Sequence, residues 1–206
     1  MKKTSILVSG LIALVAAAAP AMAQDGRIQT AYAATAEGQT SIPVGHMEYC
    51  QKRPYECQPL AVAAPVTLTD DLWRELQDVN NYFNTTVTAV SDQDLYGVAE
   101  FWTYPSSGYG DCEDFVLGKR AALIERGWDA SNLLISVVTQ PDGEGHAVLM
   151  VRTDRGDLIL DNQEGLIKLW TDTPYTYLKR QSQAHAGQWV DILDGRDVVV
   201  TATAGY

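Results

Sequence analysis

Three cysteines in a chain that opens with an export signal set the first constraint on its fold. Lys2 and Lys3 give a positive start, Ile6 through Ala19 an apolar run, and Ala21-Met22-Ala23 a small-x-small cleavage site before Gln24. Residues 1–23 therefore read as a signal peptide, whose apolar run is too short to anchor in a membrane. No later segment approaches spanning length, so the expected location is the periplasm or the exterior. Thiols exported to such a setting pair. Cys50 and Cys57 lie close together in a loop-like stretch and are expected to form a disulfide, which leaves Cys112 as a free thiol.

Charge narrows the partners. The chain carries net −11, and removal of residues 1–23, which hold two lysines and no acid, makes it more acidic still. Nucleic acids and anionic membrane surfaces recruit Lys and Arg, so neither is an expected partner. The length after cleavage suits one ordinary domain with its own core.

Residues 24–65 show neither a helical nor a strand period and read as an irregular N-terminal arm held by the Cys50–Cys57 bridge. Residues 66–206 read as the folded domain. Thr69 is placed to cap a helix whose Leu72, Leu76, Val79, Phe83 and Val87 recur at three- and four-residue steps, with Asp70 and Asp71 in its first turn. Ser91 to Gly110 is aromatic and turn-rich and reads as a packed loop. A second helix is expected from Cys112 to Arg126, ending at Gly127. Strands follow over Leu133–Thr139, His146–Arg152 and Leu158–Asp161, separated by Pro141-Asp142-Gly143 and Asp154-Arg155-Gly156-Asp157. Tyr175–Gln181 is ambiguous between strand and short helix, and Trp189–Leu193 reads as a closing strand. Helices first and an antiparallel meander after them give an α+β layout.

Chemistry concentrates on Cys112, which opens the second helix in Gly110-Asp111-Cys112-Glu113-Asp114-Phe115. A thiol attacks as thiolate, and a helix N-terminus and a neighbouring imidazole both favour that form. Of His46, His146 and His185, only His146 begins a strand of the sheet expected against the Cys112 helix; the other two read as structural or surface residues. Asp161, ending the next strand, is the candidate acceptor for the second imidazole nitrogen. A hairpin centred on Arg155-Gly156 would set His146 opposite position 165, with Asp161 on the same face but ~13 Å along the strand. Direct pairing of His146 with Asp161 therefore predicts a bulge or lopsided loop that slides the register.

Gly110–Phe115, Gly145-His146-Ala147-Val148-Leu149 and Leu160-Asp161-Asn162, with Trp102 and Pro105 upstream, together resemble the bacterial transglutaminase-like cysteine proteinases, a papain-like group that includes the LapG-type periplasmic proteases. The resemblance spans roughly residues 70–195. It implies a transglutaminase-like core, with the nucleophile's helix packed on an antiparallel sheet, and a Cys112-His146-Asp161 triad performing acyl transfer through a thioester. Calcium dependence is also implied, with Asp111, Glu113 and Asp114 as the candidate ligands; their crowding around one thiol gives a bound cation a physical rationale. A protein or peptide substrate is implied, a surface adhesin being one candidate, and an inhibitory regulator is a further candidate partner. Two rivals stay open: a transglutaminase or amidase using the same triad, and a non-catalytic, disulfide-stapled binding module. The cysteines and histidines lack the paired spacings of a zinc site.

Overall fold

The structure, a computed structural model, describes residues 32–196, so the signal-peptide reading of residues 1–23 lies outside the described residues. Its helices are α1 (Val44–Lys52), α2 (Asp70–Thr86), α3 (Asp92–Tyr96) and α4 (Cys112–Glu125). A two-stranded parallel pair, β1 (Thr88–Ala89) and β2 (Tyr109–Gly110), closes the loop before α4. The main sheet holds β3 (Leu133–Thr139), β4 (Gly145–Thr153), β5 (Gly156–Leu160), β6 (Lys168–Leu169), β7 (Thr176–Ser182) and β8 (His185–Asp191). Its strand order is β6-β5-β4-β3-β7-β8, antiparallel throughout, and the fold is α+β.

The middles of the central strands are continuously apolar, as over residues 147–151 and 158–160, because both faces of the sheet are covered. Leu133, Ile135, Ala147, Leu149, Val151, Leu158 and Leu160 face α2 and α4, meeting Leu76, Val79, Val116, Leu117 and Leu123. Leu134, Val138, Val148, Met150 and Ile159 face the other way, onto Trp170, Tyr175, Tyr177 and Ile192. The two helices touch closely at Gly118, where a Cβ would come within 2.4 Å of the Phe83 ring. Thr69 caps α2 by accepting from the Leu72 N–H at 3.2 Å.

Two expectations are corrected. The stretch read as irregular contains the nine-residue helix α1. Its buried face is Gly45, His46 and Tyr49, not an aliphatic stripe, so it carries no recurring apolar signal. His46 is inside, accepting from the Trp189 indole at 3.1 Å, and burial pushes it down to about 4. The rest of the arm borrows edges: Thr35 and Thr40 bridge to Ile192 and Trp189, and Val66 runs parallel to Thr153. Cys50 and Cys57 form a disulfide that ties α1 to the turn following it.

The second correction concerns register. β4 and β5 pair from Thr153–Gly156 through Leu149–Leu160 with no shift, across a tight two-residue turn. Continued, this pairing sets His146 opposite Gln163, leaving Asp161 one diagonal step away on the same face, roughly 7 Å between backbones. Two side chains span that gap, so no bulge is needed.

Candidate active site

Cys112 is the first residue of α4, half-buried, with Asp111 at the N-cap position. The Asp111 carboxylate does not cap the helix; it accepts instead from the Asp92 N–H at 3.2 Å. The Cys112 thiol donates to Glu113 Oε2 at 3.2 Å, and the Ala147 N–H of β4 is directed at the sulfur. His146, the residue before Ala147, is buried, and its Nε2 lies 2.9 Å from Asp161 Oδ1. With Nε2 engaged there, Nδ1 is the imidazole nitrogen left to receive a proton. Cys112 and His146 line one cleft of about 520 Å³, walled by Trp102, Glu113, Glu144 and Ala147.

Asp161 is the most fully engaged group of the site. Its Oδ1 also accepts from the Gln163 N–H at 2.9 Å, and its Oδ2 accepts from the Tyr175 hydroxyl at 2.5 Å. Its carbonyl accepts from the Asn84 side chain at 2.8 Å. Burial alone would raise this carboxyl, but the hydrogen bond and charge of His146, with the Tyr175 donor, outweigh it and hold the group below its ordinary value. Asp161 is thus a stable carboxylate beside the imidazole.

The thiol's surroundings oppose its ionisation, as the crowding of carboxylates around it in the sequence implies. Burial first, then the charge and hydrogen bond of Glu113, push Cys112 well above its ordinary value, although the Ala147 N–H pulls the other way. The part that follows burial comes from a knot of carboxyl groups. Asp92, Asp111 and Glu113 each offer an oxygen within 4.8 Å of the others. Burial and the neighbouring Asp111 raise Glu113 to about 9, and burial chiefly, with Asp111 and Asp92, raises Asp114 to about 7. Asp92 Oδ1, Asp111 Oδ1, Glu113 Oε1 and Asp114 Oδ2 are buried with no hydrogen-bond partner among the described residues. Asp114 stands outside the close trio, one oxygen being taken by the Thr103 N–H at 2.8 Å.

Sequence reasoning missed Asp92 and Tyr175. Asp92 opens the five-residue α3, where a Ser-Asp pair signals only a helix start. Tyr175 sits in the connection before β7, where nothing in the pattern marks a hydroxyl with a partner. His46, Cys50 and Cys57 also cluster, but the disulfide occupies both sulfurs.

Residues 36–197 match the model of a family described as bacterial transglutaminase-like cysteine proteinase. Solved structures of Legionella pneumophila LapG are similar. The calcium-bound form is 26% identical with a TM-score of 0.48, covering 53% of this chain and 64% of that one. The EGTA-treated form is 26% identical with a TM-score of 0.47, covering 53% and 62%. Each similarity thus spans less than two thirds of the LapG chain. No curated protein matches this sequence.

Proposed function

This chain belongs to the bacterial transglutaminase-like cysteine proteinase family, and on that premise we propose that it is an exported cysteine peptidase with Cys112 as nucleophile, His146 as base and Asp161 as orienter. The observation that carries this reading is the buried His146–Asp161 pair at 2.9 Å, opening onto the cleft that Cys112 lines.

His146 Nδ1 takes the Cys112 proton, and the thiolate attacks the carbonyl carbon of a peptide bond. Backbone N–H groups at the start of α4 have no helical acceptors and face the developing oxyanion. Collapse of the tetrahedral adduct breaks the C–N bond, and the imidazolium gives its proton to the leaving amine. Water, deprotonated by His146, then attacks the thioester and releases the carboxylic acid and the thiol. Asp161 keeps the ring proton on Nε2 throughout.

The unpartnered oxygens of Asp92, Asp111 and Glu113 fit a hard divalent cation, and these three residues would hold calcium there, with Asp114 outside the ligand set. Its positive charge would offset the repulsion that opposes ionisation of Cys112. The substrate class is protein, with envelope proteins, including surface adhesins, as the first to test. The Cys50–Cys57 disulfide supports a periplasmic or secreted setting.

Iodoacetamide labelling of the native protein in calcium buffer tests the reading. One thiol should react well below pH 8, vanish in Cys112→Ala and slow in His146→Ala; an inert Cys112 would overturn it. Incubating wild type and Cys112→Ala with cell-envelope protein and mapping new termini identifies the substrate.

A further inference from the structure

An orienting carboxylate needs one hydrogen bond to its imidazole, yet Asp161 is gripped from the far side as well. Tyr175 donates to Oδ2 at 2.5 Å, at the short end for a hydroxyl on a charged acceptor. No other donor reaches that oxygen among the described residues. Tyr175 is 6% exposed, and its ring centroid lies 5.6 Å from that of His146. The ring packs in the apolar layer with Trp170 and Tyr177, a place a phenylalanine would fill equally well. The hydroxyl therefore serves Asp161.

We infer that Tyr175 is a positioning residue, fixing the Asp161 carboxylate so that His146 keeps its proton on Nε2 and presents Nδ1 to the cleft. This rests on the peptidase reading above. His146 and the Gln163 N–H share Oδ1, so that oxygen alone cannot stop the carboxylate from rotating about Cβ–Cγ. Without Tyr175, Oδ2 becomes a buried acceptor with no donor, a state relieved by rotation or by taking up a proton. Either outcome loosens the hold on Nε2 and admits the tautomer that cannot accept the thiol's proton.

The test compares the full protein with Tyr175→Phe, Asp161→Asn and the double variant, all in calcium buffer. Imidazole 15N shifts report the His146 tautomer, and iodoacetamide labelling at neutral pH reports Cys112. Tyr175→Phe should stay folded with a melting temperature lower by several degrees, show a mixed His146 tautomer and label about ten- to a hundredfold more slowly, as expected for losing a hydrogen bond to a charged group. The double variant should label no more slowly than Asp161→Asn alone. A wild-type tautomer and rate in Tyr175→Phe, or fully additive losses, would overturn the inference. Incorporating 3,5-difluorotyrosine at 175 keeps the shape and alters only the hydroxyl's acidity. An unmoved His146 15N shift there would also count against it. If wild-type Cys112 proves inert, the peptidase reading fails while the tautomer still decides the role of Tyr175.

Discussion

Lys119 Nζ donates to Asn80 Oδ1 at 2.8 Å, and neither side chain is exposed to solvent. Asn80 donates onward to the Gly165 carbonyl at 3.2 Å, and Asn84, one turn along α2, holds the Asp161 carbonyl. Helices α2 and α4 are thereby stitched to the loop that carries Asp161. Burial pushes Lys119 down to about 7 from 10.5, although the nearby Asp161 charge opposes this.

That depressed value gives a pH signature. Between about pH 7 and 10.5 the unfolded chain binds a proton that the folded chain lacks, so this residue makes stability rise with pH across the window. Below pH 7 both forms are charged and the burial penalty is present in full. Lys119→Met should remove the rise, worth up to about 1.4 kcal/mol per pH unit inside the window. Urea melts of both proteins at pH 6, 7.5 and 9 check it: a wild-type-minus-variant difference that stays flat would mean Lys119 is paired better than its geometry indicates.

Calcium should bind the wild type and raise its melting temperature, and Asp92→Asn should weaken that binding at least tenfold. The reason is that Asp92 contributes a buried, partnerless oxygen to the same knot as Asp111 and Glu113. At a hundred times the dissociation constant the ion would stabilise the fold by about 2.7 kcal/mol. Titration calorimetry measures the binding and thermal melts with and without calcium measure the stabilisation; an absence of binding heat in the wild type ends the calcium proposal.

The Cys50–Cys57 bridge closes a short loop, with a sequence separation of 7, so its loss should cost near the low end of ~2–4 kcal/mol. The double variant Cys50→Ser/Cys57→Ser should therefore stay folded, with a lower urea midpoint. α1 keeps its other anchors, His46 against Trp189 and Tyr49 against Tyr104. A loss well above this range would show that the bridge, not the aromatic contacts, holds α1 to the body.

What the sequence made legible follows from where physical signals are local. Leu133–Thr139 is a strand over its expected bounds, and α4 starts at Cys112 as expected, because β-rich runs and helix boundaries are written in adjacent residues. The His146–Asp161 contact was expected for the right face and by the wrong route. Alternation gives the face, but the reach of two side chains across a diagonal step is not a backbone property. The helix over Val44–Lys52 stayed hidden because a glycine, a histidine and a tyrosine form its buried side. Asp92 and Tyr175 stayed hidden because their partners, 19 and 14 residues away, are brought near only by the fold.

Gly45 tests how α1 shapes the cleft. In an exposed helix, Gly→Ala gains about 1 kcal/mol. Here a Cβ would fall 2.2 Å from Trp102 Cδ1 and 2.4 Å from its Nε1, so the indole must move. That indole is buried, donates to Glu100 at 3.0 Å, and walls the cleft that holds Cys112 and His146. Gly45→Ala should therefore destabilise by about 1–3 kcal/mol despite its better helix propensity. It should shift tryptophan fluorescence and raise KM for a peptide substrate more than it lowers kcat. Iodoacetamide, small enough to reach the sulfur without that wall, should label Cys112 within about twofold of the wild-type rate, since the His146–Asp161 pair is untouched. An unchanged melting temperature and KM would mean that Trp102 yields freely and does not define where the substrate lies.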